Sequence, residues 1–367
     1  MRLFLLLISL LSWARPLSAQ YVSVSSQPAW RTQLTKAIDQ LYNNRAADAE
    51  STFAQLNRQS PGHPVVFLLR AMGQYWQWFP ARTDERLRQQ MLSQLAQASS
   101  RAATWLDRDG GNPEPMFIYF TAEVLAAKLN HFEGETMSAV NHAKNAYPYI
   151  RRGRAFHGQF ADFYLSSGLY NYYREVYPQL HPFYKSVAWV MESGNKQVGM
   201  QQLQQAVRQA LFVRTEATLY LTHLLVDYEN RPAEALPYLL DLTERYPNNL
   251  FFRFKYGEAL LNAHRPSDVA PVLAPLLSSP QATYRQLGKL LQARLALATN
   301  QPESAQTLAA DVLRSGLKDE SARAYAYQVL AQVAQREGQP ARAKQYYRQM
   351  LSLAEFPVLR RDAQRHL

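Results

Sequence analysis

Histidine, aspartate and glutamate are the side chains from which a chain without cysteine can build a metal or acid–base site, and here their spacing is unpromising. The eight histidines include no pair four residues apart, so no helix face carries the two imidazoles of a His-Glu-x-x-His zinc site. The nucleophile elbow G-x-S-x-G, the phosphate loop G-x-x-x-x-G-K-S/T and the dinucleotide fingerprint G-x-G-x-x-G are all missing. Asp107 and Asp109 open like a calcium loop, but Gly111 falls where a ligand belongs and Asn112 where glycine belongs. That segment, through Pro113, reads as a turn. Glu123, Asp162 and Glu175 lie near aromatics and have the chemistry for glycoside hydrolysis, yet nothing in the sequence sets two of them across one cleft. His157 beside Asp162 reads as a helix-surface pair. The expectation is a non-enzyme, with no metal and no cofactor.

Aromatic side chains offer a different chemistry. Between Tyr147 and Trp189, 13 of 43 residues are Phe, Tyr or Trp, against 12% in the whole chain. Stacked rings with hydroxyls suit sugars, peptides or extended chains, and Arg151, Arg152, Arg154 and Arg174 add cation–π capacity. Phe160, Phe163 and Tyr164 have helical spacing that suits burial. Tyr170, Tyr172, Tyr173 and Arg174 cannot all point inward from one helix, and they are the candidates for a ligand-facing group. They also carry the alternative reading of a carbohydrate-binding or carbohydrate-active helical protein. Tyr75, Trp76, Trp78 and Phe79 pose the same question, with burial the better answer.

The elements that must position these residues announce themselves by repetition. A small residue, an apolar residue four on and another three beyond recur as Gly199-Leu203-Ala206, Ala235-Leu239-Leu242, Val269-Leu273-Leu276, Ala305-Ala309-Val312 and Ala343-Tyr347-Met350. Their first members are 36, 34, 36 and 38 residues apart. A period in the thirties with helical internal spacing marks helix pairs, each burying its apolar face against the next. Ala49, Phe53, Leu56 and Pro61 repeat the spacing near the N-terminus, and a weaker unit surrounds Ala127, Ala139 and Ala143. Between Arg82 and Trp105 a long helix lacks the repeat. From Tyr147 to Trp189 the period breaks: a linker is expected over Tyr147–Gly153, a helix over Phe156–Glu175 and a proline-punctuated loop over Tyr177–Pro182.

In the unit ending at Met350, Tyr327, Leu330, Ala331 and Ala334 line one helix, Gly338 sits in the turn, and Ala343, Tyr347 and Met350 line the second. This resembles the tetratricopeptide repeat, as does the unit before Tyr246-Pro247-Asn248-Asn249. The resemblance covers residues 28–80 and 183–352. It implies an all-α, right-handed α–α superhelix, a solenoid with an irregular aromatic-rich central helical segment. The implied organisation is N-terminal repeat-like helices over 20–80, an irregular helical middle with one degenerate repeat over 81–182 and a C-terminal array over 183–367, with 20–367 one continuous solenoid. In this family the first helix of each pair lines the concave wall. Transferred by position, that wall comprises Tyr220, Asp227, Tyr228, Phe251, Phe254, Glu258, Asn262, Tyr325, Gln328, Gln332, Gln335 and Arg336. The implied function is a scaffold binding a protein or peptide partner in this concave groove. The lysine and asparagine pattern that clamps a peptide C-terminus is not matched. The phrase Gly168 to Arg174, with Gly194 to Gly199, is similar to exported bacterial repeat proteins and loosely resembles the eukaryotic inclusion-body-clearance repeat family.

Arg2 followed by an apolar run from Leu3 to Trp13, then Pro16 and Leu17-Ser18-Ala19, has the layout of a secretory signal peptide over residues 1–19. About eleven helical residues span roughly half a bilayer core, too few for an anchor. The expected location is periplasmic, with secretion the alternative. The chain has no cysteine, which excludes a lipoprotein and any disulfide. Net charge is +11, or +9 without Arg2 and Arg15, which favours anionic partners. The positives are scattered and no block of five or six like charges occurs, so nucleic acid is not an expected partner.

Overall fold

The structure is a computed structural model that describes residues 21–180 and 192–367. The expected leader over 1–19, and the end of the loop expected over 177–182, lie outside those residues. Seventeen α-helices follow one another, and no strand occurs among the described residues. They are α1 (Pro28–Tyr42), α2 (Ala46–Gln59), α3 (Pro64–Trp78), α4 (Glu85–Leu106), α5 (Pro113–Phe132), α6 (Thr136–Gly153), α7 (Phe163–Leu180), α8 (Lys196–Gln209) and α9 (Arg214–His223). There follow α10 (Pro232–Arg245), α11 (Leu250–Asn262), α12 (Ala270–Leu277), α13 (Ala282–Ala298), α14 (Pro302–Arg314), α15 (Glu320–Arg336), α16 (Pro340–Leu353) and α17 (Pro357–Arg365).

Local sequence fixes where the helices turn. Asn44, Gly134, Asn230, His264, Asn300 and Gly338 each have φ between 56° and 75°, the left-handed conformation that ends a helix and that Gly and Asn adopt at least cost. The next N–H then reaches back into the last helical turn. Arg45 donates to Gln40, Glu135 to Asn130, Arg265 to Leu260, Gln301 to Ala296 and Gln339 to Ala334, at 2.7–2.9 Å. The last four of these six turns are 34, 36 and 38 residues apart, so the turn chemistry keeps the period of the buried triads. Asp84, Asn112, Asn195, Asn249 and Asp319 cap the following helices through their side-chain oxygens.

Odd-numbered helices pack on one another across hairpins near both ends of the array, α1 on α3, α3 on α5, α11 on α13 and α13 on α15, and among the described residues no two even-numbered helices do so, which makes the even-numbered set the outer one. All five sequence triads are buried at the contacts within these pairs. At Gly199 the reason for smallness is direct: a Cβ there would stand 2.7 Å from the carbonyl oxygen of Gly168 and from the Tyr172 amide nitrogen.

The middle of the chain corrects three expectations. Residues 147–153 are the last turns of α6 rather than a linker; Pro148 is accommodated because it and Lys144, whose carbonyl it leaves without a helical donor, are both exposed. The next long helix begins at Phe163, not Phe156, because Asp162 is drawn off the helix to accept the amides of Leu211, Phe212 and Val213. It also continues past Tyr177, through Pro178, to Leu180. The degenerate repeat is helical, but Ala139 and Ala143 stay out of the core, and α6 buries only Ala146 and Gly153.

One feature departs from a simple one-dimensional stack, where a hairpin touches only its neighbours. The end of α1 packs on the α10–α11 turn, with Tyr42 against Tyr246 and Phe252. Trp76 of α3 meets Phe251 and Phe252 at 5.8 and 5.4 Å, and Phe79 meets Phe251 at 5.3 Å. The array folds back on itself.

Candidate partner-binding groove

The inner wall divides into three zones. In the first, the aromatic seam just described occupies the space between α3 and α11, and Phe251, partly buried in it, also lines a small pocket of about 180 Å³ with Phe79, Tyr284 and Leu287. Beside it the ammonium of Lys128 lies 4.8 Å from the centre of the Tyr75 ring. Tyr220 is half-buried.

The second zone is a buried ionic cluster, built by a local irregularity. At its C-terminal end α9 widens into a π turn over Leu224–Tyr228, with Glu229 N–H bonding to the Leu224 carbonyl at 2.9 Å. One extra residue enters the turn and redirects Asp227 and Tyr228 inward. Asp227 meets His223 Nδ1 at 2.7 Å and faces the Lys255 ammonium at 3.9 Å. Lys255 also bonds to Glu258. Burial by itself raises the Asp227 carboxyl, but Lys255 and His223 outweigh it and hold the group below the usual carboxylate range. Glu258 goes the other way, pushed up by burial and by the negative charge of Asp227. Burial also raises the Tyr325 phenol.

Asp227, Tyr228, Phe254, Glu258 and Tyr325 are therefore buried. They were expected on an accessible wall. The physical reason is that the inner helices come together here, with Tyr228 in contact with Tyr172, Tyr173 and Phe356, while Tyr325 also borders the open cleft described next.

The third zone is open. A cleft of about 460 Å³ runs between α11, α13, α15 and α17. Asn262, Tyr325, Gln328, Gln332 and Arg336, all expected from the sequence, line it together with Arg294, Arg361, Arg365 and His264. Arg294 stacks over the Tyr325 ring at 4.2 Å and donates through Nη2 to Asn262 Oδ1 at 2.6 Å. Its Nη1 is buried and has no hydrogen-bond partner. Arg336 donates to the Leu297 carbonyl at 3.0 Å and Arg361 to the Tyr228 carbonyl at 3.2 Å. Phe356 anchors α17 from the far side, 4.6 Å from His223 and 5.8 Å from Tyr228.

Arg294, Arg361, Arg365 and His264 were missed by sequence reasoning. The two on α17 follow the last repeat, where no consensus position applies. Arg294 had a usable signal, because it lies on an inner helix beside Asn262, a position that was identified.

The remaining candidates serve the scaffold. Glu123 is held by Ser99, His142 and Asn145, and burial pushes Asp162 up to about 6 against its three amide donors. Glu175 accepts the Lys196 amide. His157 pairs with Ser167 at 2.9 Å and stacks on Tyr164, rather than bonding to Asp162. Tyr172 is fully buried with its hydroxyl on Glu229, and Tyr173 packs between Tyr172 and Tyr228. Tyr170 lies elsewhere, under Arg154 and bonded to the Glu192 carbonyl, and Arg174 packs beside Gly194. The four do not form one surface. Among the described residues no three His, Asp or Glu side chains converge to hold a metal, and no helix is long and apolar enough to cross a membrane.

Antiparallel helix pairs, left-handed turns every 34 to 38 residues and small residues at the contact within each pair together decide the architecture. The fold is an all-α array of helix hairpins. Two solved structures are similar to it. One is the C-terminal part of a TPR repeat-containing protein from Cytophaga hutchinsonii, at 14% identity over 91% of this chain and 99% of that one, with a TM-score of 0.28. The other is the TPR domain of P58(IPK), at 14% identity over 91% and 97%, with a TM-score of 0.26. No family model matches the chain, and no curated protein matches it.

Proposed function

We propose that this tetratricopeptide-type array is a non-catalytic scaffold, exported through residues 1–19 to the periplasm, that seats a segment of a protein partner in the C-terminal section of its groove. The observation that carries this reading is the division of the inner wall. Aromatic packing and the ionic cluster fill the first two zones, while the cleft between α11, α13, α15 and α17 keeps Gln328, Gln332 and Arg336 beside open space. Preformed concave surfaces on helical arrays bind extended or helical segments with little reorganisation. Export rests on the basic Arg2, the short apolar run and the small residues before Gln20.

A photo-cross-linking residue placed at Gln332, and separately at the exposed Leu240 on outer helix α10, tests the reading in intact cells. A discrete adduct from position 332, absent from position 240, is the expected outcome. Adducts from 240 alone put the partner on the convex face and overturn it.

A further inference from the structure

The cleft between α11, α13, α15 and α17 is more specific than a generic groove. Four guanidinium groups line it, from Arg294, Arg336, Arg361 and Arg365, with a single acid, Asp362. That acid is engaged at the rim, where Gln328 donates to it at 2.6 Å. Arg294 is the informative member. Its ring contact with Tyr325 and its bond to Asn262 hold the guanidinium plane in place, yet Nη1 is buried with no acceptor. A buried charged donor left without a partner is costly, typically by more than a neutral one. With Nη2 held by Asn262, Nη1 is left to take one carboxylate oxygen in a charge-assisted hydrogen bond.

We propose that this cleft takes an acidic peptide segment, with one Asp or Glu carboxylate seated on Arg294 and a second acidic side chain met by Arg361 and Arg365 on α17. The inference rests on the groove reading above and names the chemistry of its occupant. Two of the four cations come from the helix that follows the last repeat. That helix is fixed by Phe356 between His223 and Tyr228, so the site is complete only when α17 is docked. The apolar floor of Leu261, Leu297, Val329 and Leu359 requires apolar residues between the acids.

The test uses the mature chain and a fluorescein-labelled peptide alternating Asp or Glu with Leu, against the same peptide carrying Asn and Gln. The acidic probe binds, the amide probe binds at least about tenfold more weakly, and raising salt weakens the acidic probe. Arg294→Met removes about tenfold or more of the affinity. Arg365→Gln, at an exposed position where folding is not at risk, reduces it by less. Inorganic phosphate competes only weakly, since it lacks the apolar contacts; displacement by phosphate as effective as by unlabelled peptide means that the site takes free oxyanions and overturns the peptide assignment. Equal binding of both probes, or unchanged binding in both variants, overturns it as well. Failure of the acidic probe alongside an adduct from position 332 retires the anionic chemistry alone, whereas adducts from position 240 alone retire the groove reading beneath it.

Discussion

Tyr42 and Tyr246 stand with ring centroids 5.6 Å apart, although 204 positions separate them in the chain. The Tyr246 hydroxyl donates to Asp39 at 2.9 Å. Around the rings the backbone is clasped: Asn249 Nδ2 donates to the Tyr42 carbonyl at 2.8 Å, Asn44 Nδ2 to the Asn248 carbonyl at 3.0 Å, and the Asn248 amide to Asn43 Oδ1 at 3.0 Å. The first hairpin is thereby tied to the middle of the C-terminal array.

The clasp makes unfolding of the two halves interdependent. Trp76→Ala empties the aromatic seam at a cost of about 3–5 kcal/mol, and Asn249→Ala strips the Tyr42 carbonyl and the α11 cap of their donor and acceptor for about 1–3 kcal/mol. Chemical denaturation followed by circular dichroism is expected to show one transition in the wild type. In Trp76→Ala an earlier step appears for the N-terminal helices.

Glu216 sets a pH dependence. Burial pushes its carboxyl up to about 8, and Tyr42 bonds to it. Because the folded value lies above the ordinary one, the folded state favours the protonated acid. Stability is full below the ordinary carboxylate value near 4.5 and declines as pH rises toward 8. His63 works in the opposite sense: burial lowers it to about 4, so its contribution is present above the ordinary 6.5 and is lost as pH falls through 4. Thermal melts across pH 5–8 are expected to flatten in Glu216→Gln, while the acid limb remains.

The helix-pair contact at Gly199 gives a sharp test of packing. Gly199→Ala presses a methyl against the backbone of Gly168 and Tyr172, which cannot yield as a flexible side chain would. The expected loss is about 1–3 kcal/mol in denaturant titrations, whereas Gly316→Ala, with no atom within 4 Å of the added carbon but φ of +73°, is penalised only through its backbone conformation.

Lys255 neutralises two carboxylates in the buried cluster. Lys255→Met removes the cation that Asp227 and Glu258 share, leaving His223 and Arg294 to offset them, and costs about 3–5 kcal/mol. Replacing all three by apolar residues is expected to recover most of that loss in equilibrium unfolding. A triple variant as unstable as the single one would show that the cluster is needed for more than charge balance.

Much of this was legible in the residues. The triads from Gly199 to Met350 specified helix pairs because a small residue at four of the five periods, Val269 being the exception, is what close helix contact requires, and the turn residues Asn230, His264, Asn300 and Gly338 kept the same count. Gln328, Gln332 and Arg336 could be placed beside the cleft because wall positions are set within one helix. What was not legible depends on curvature. No local pattern says that Trp76 will meet Phe251 or Tyr228 will meet Tyr172, and for that reason Asp227, Tyr228, Phe254 and Glu258 were read as open wall. The π turn at Leu224–Tyr228 inserts a residue without any sequence signature, and α17 lies beyond the last repeat.

The most direct test locks the clasp and asks whether recognition survives. The chain has no native cysteine, so Asn44→Cys with Asn248→Cys can be joined by a short bis-maleimide in the folded protein carrying the photo-cross-linker at Gln332. If the partner enters only the section between α11 and α17, the locked and unlocked proteins give the same adduct in the same yield. Loss of the adduct on locking would mean that the groove must open at Tyr42 and Trp76 to bind, and would contradict the account.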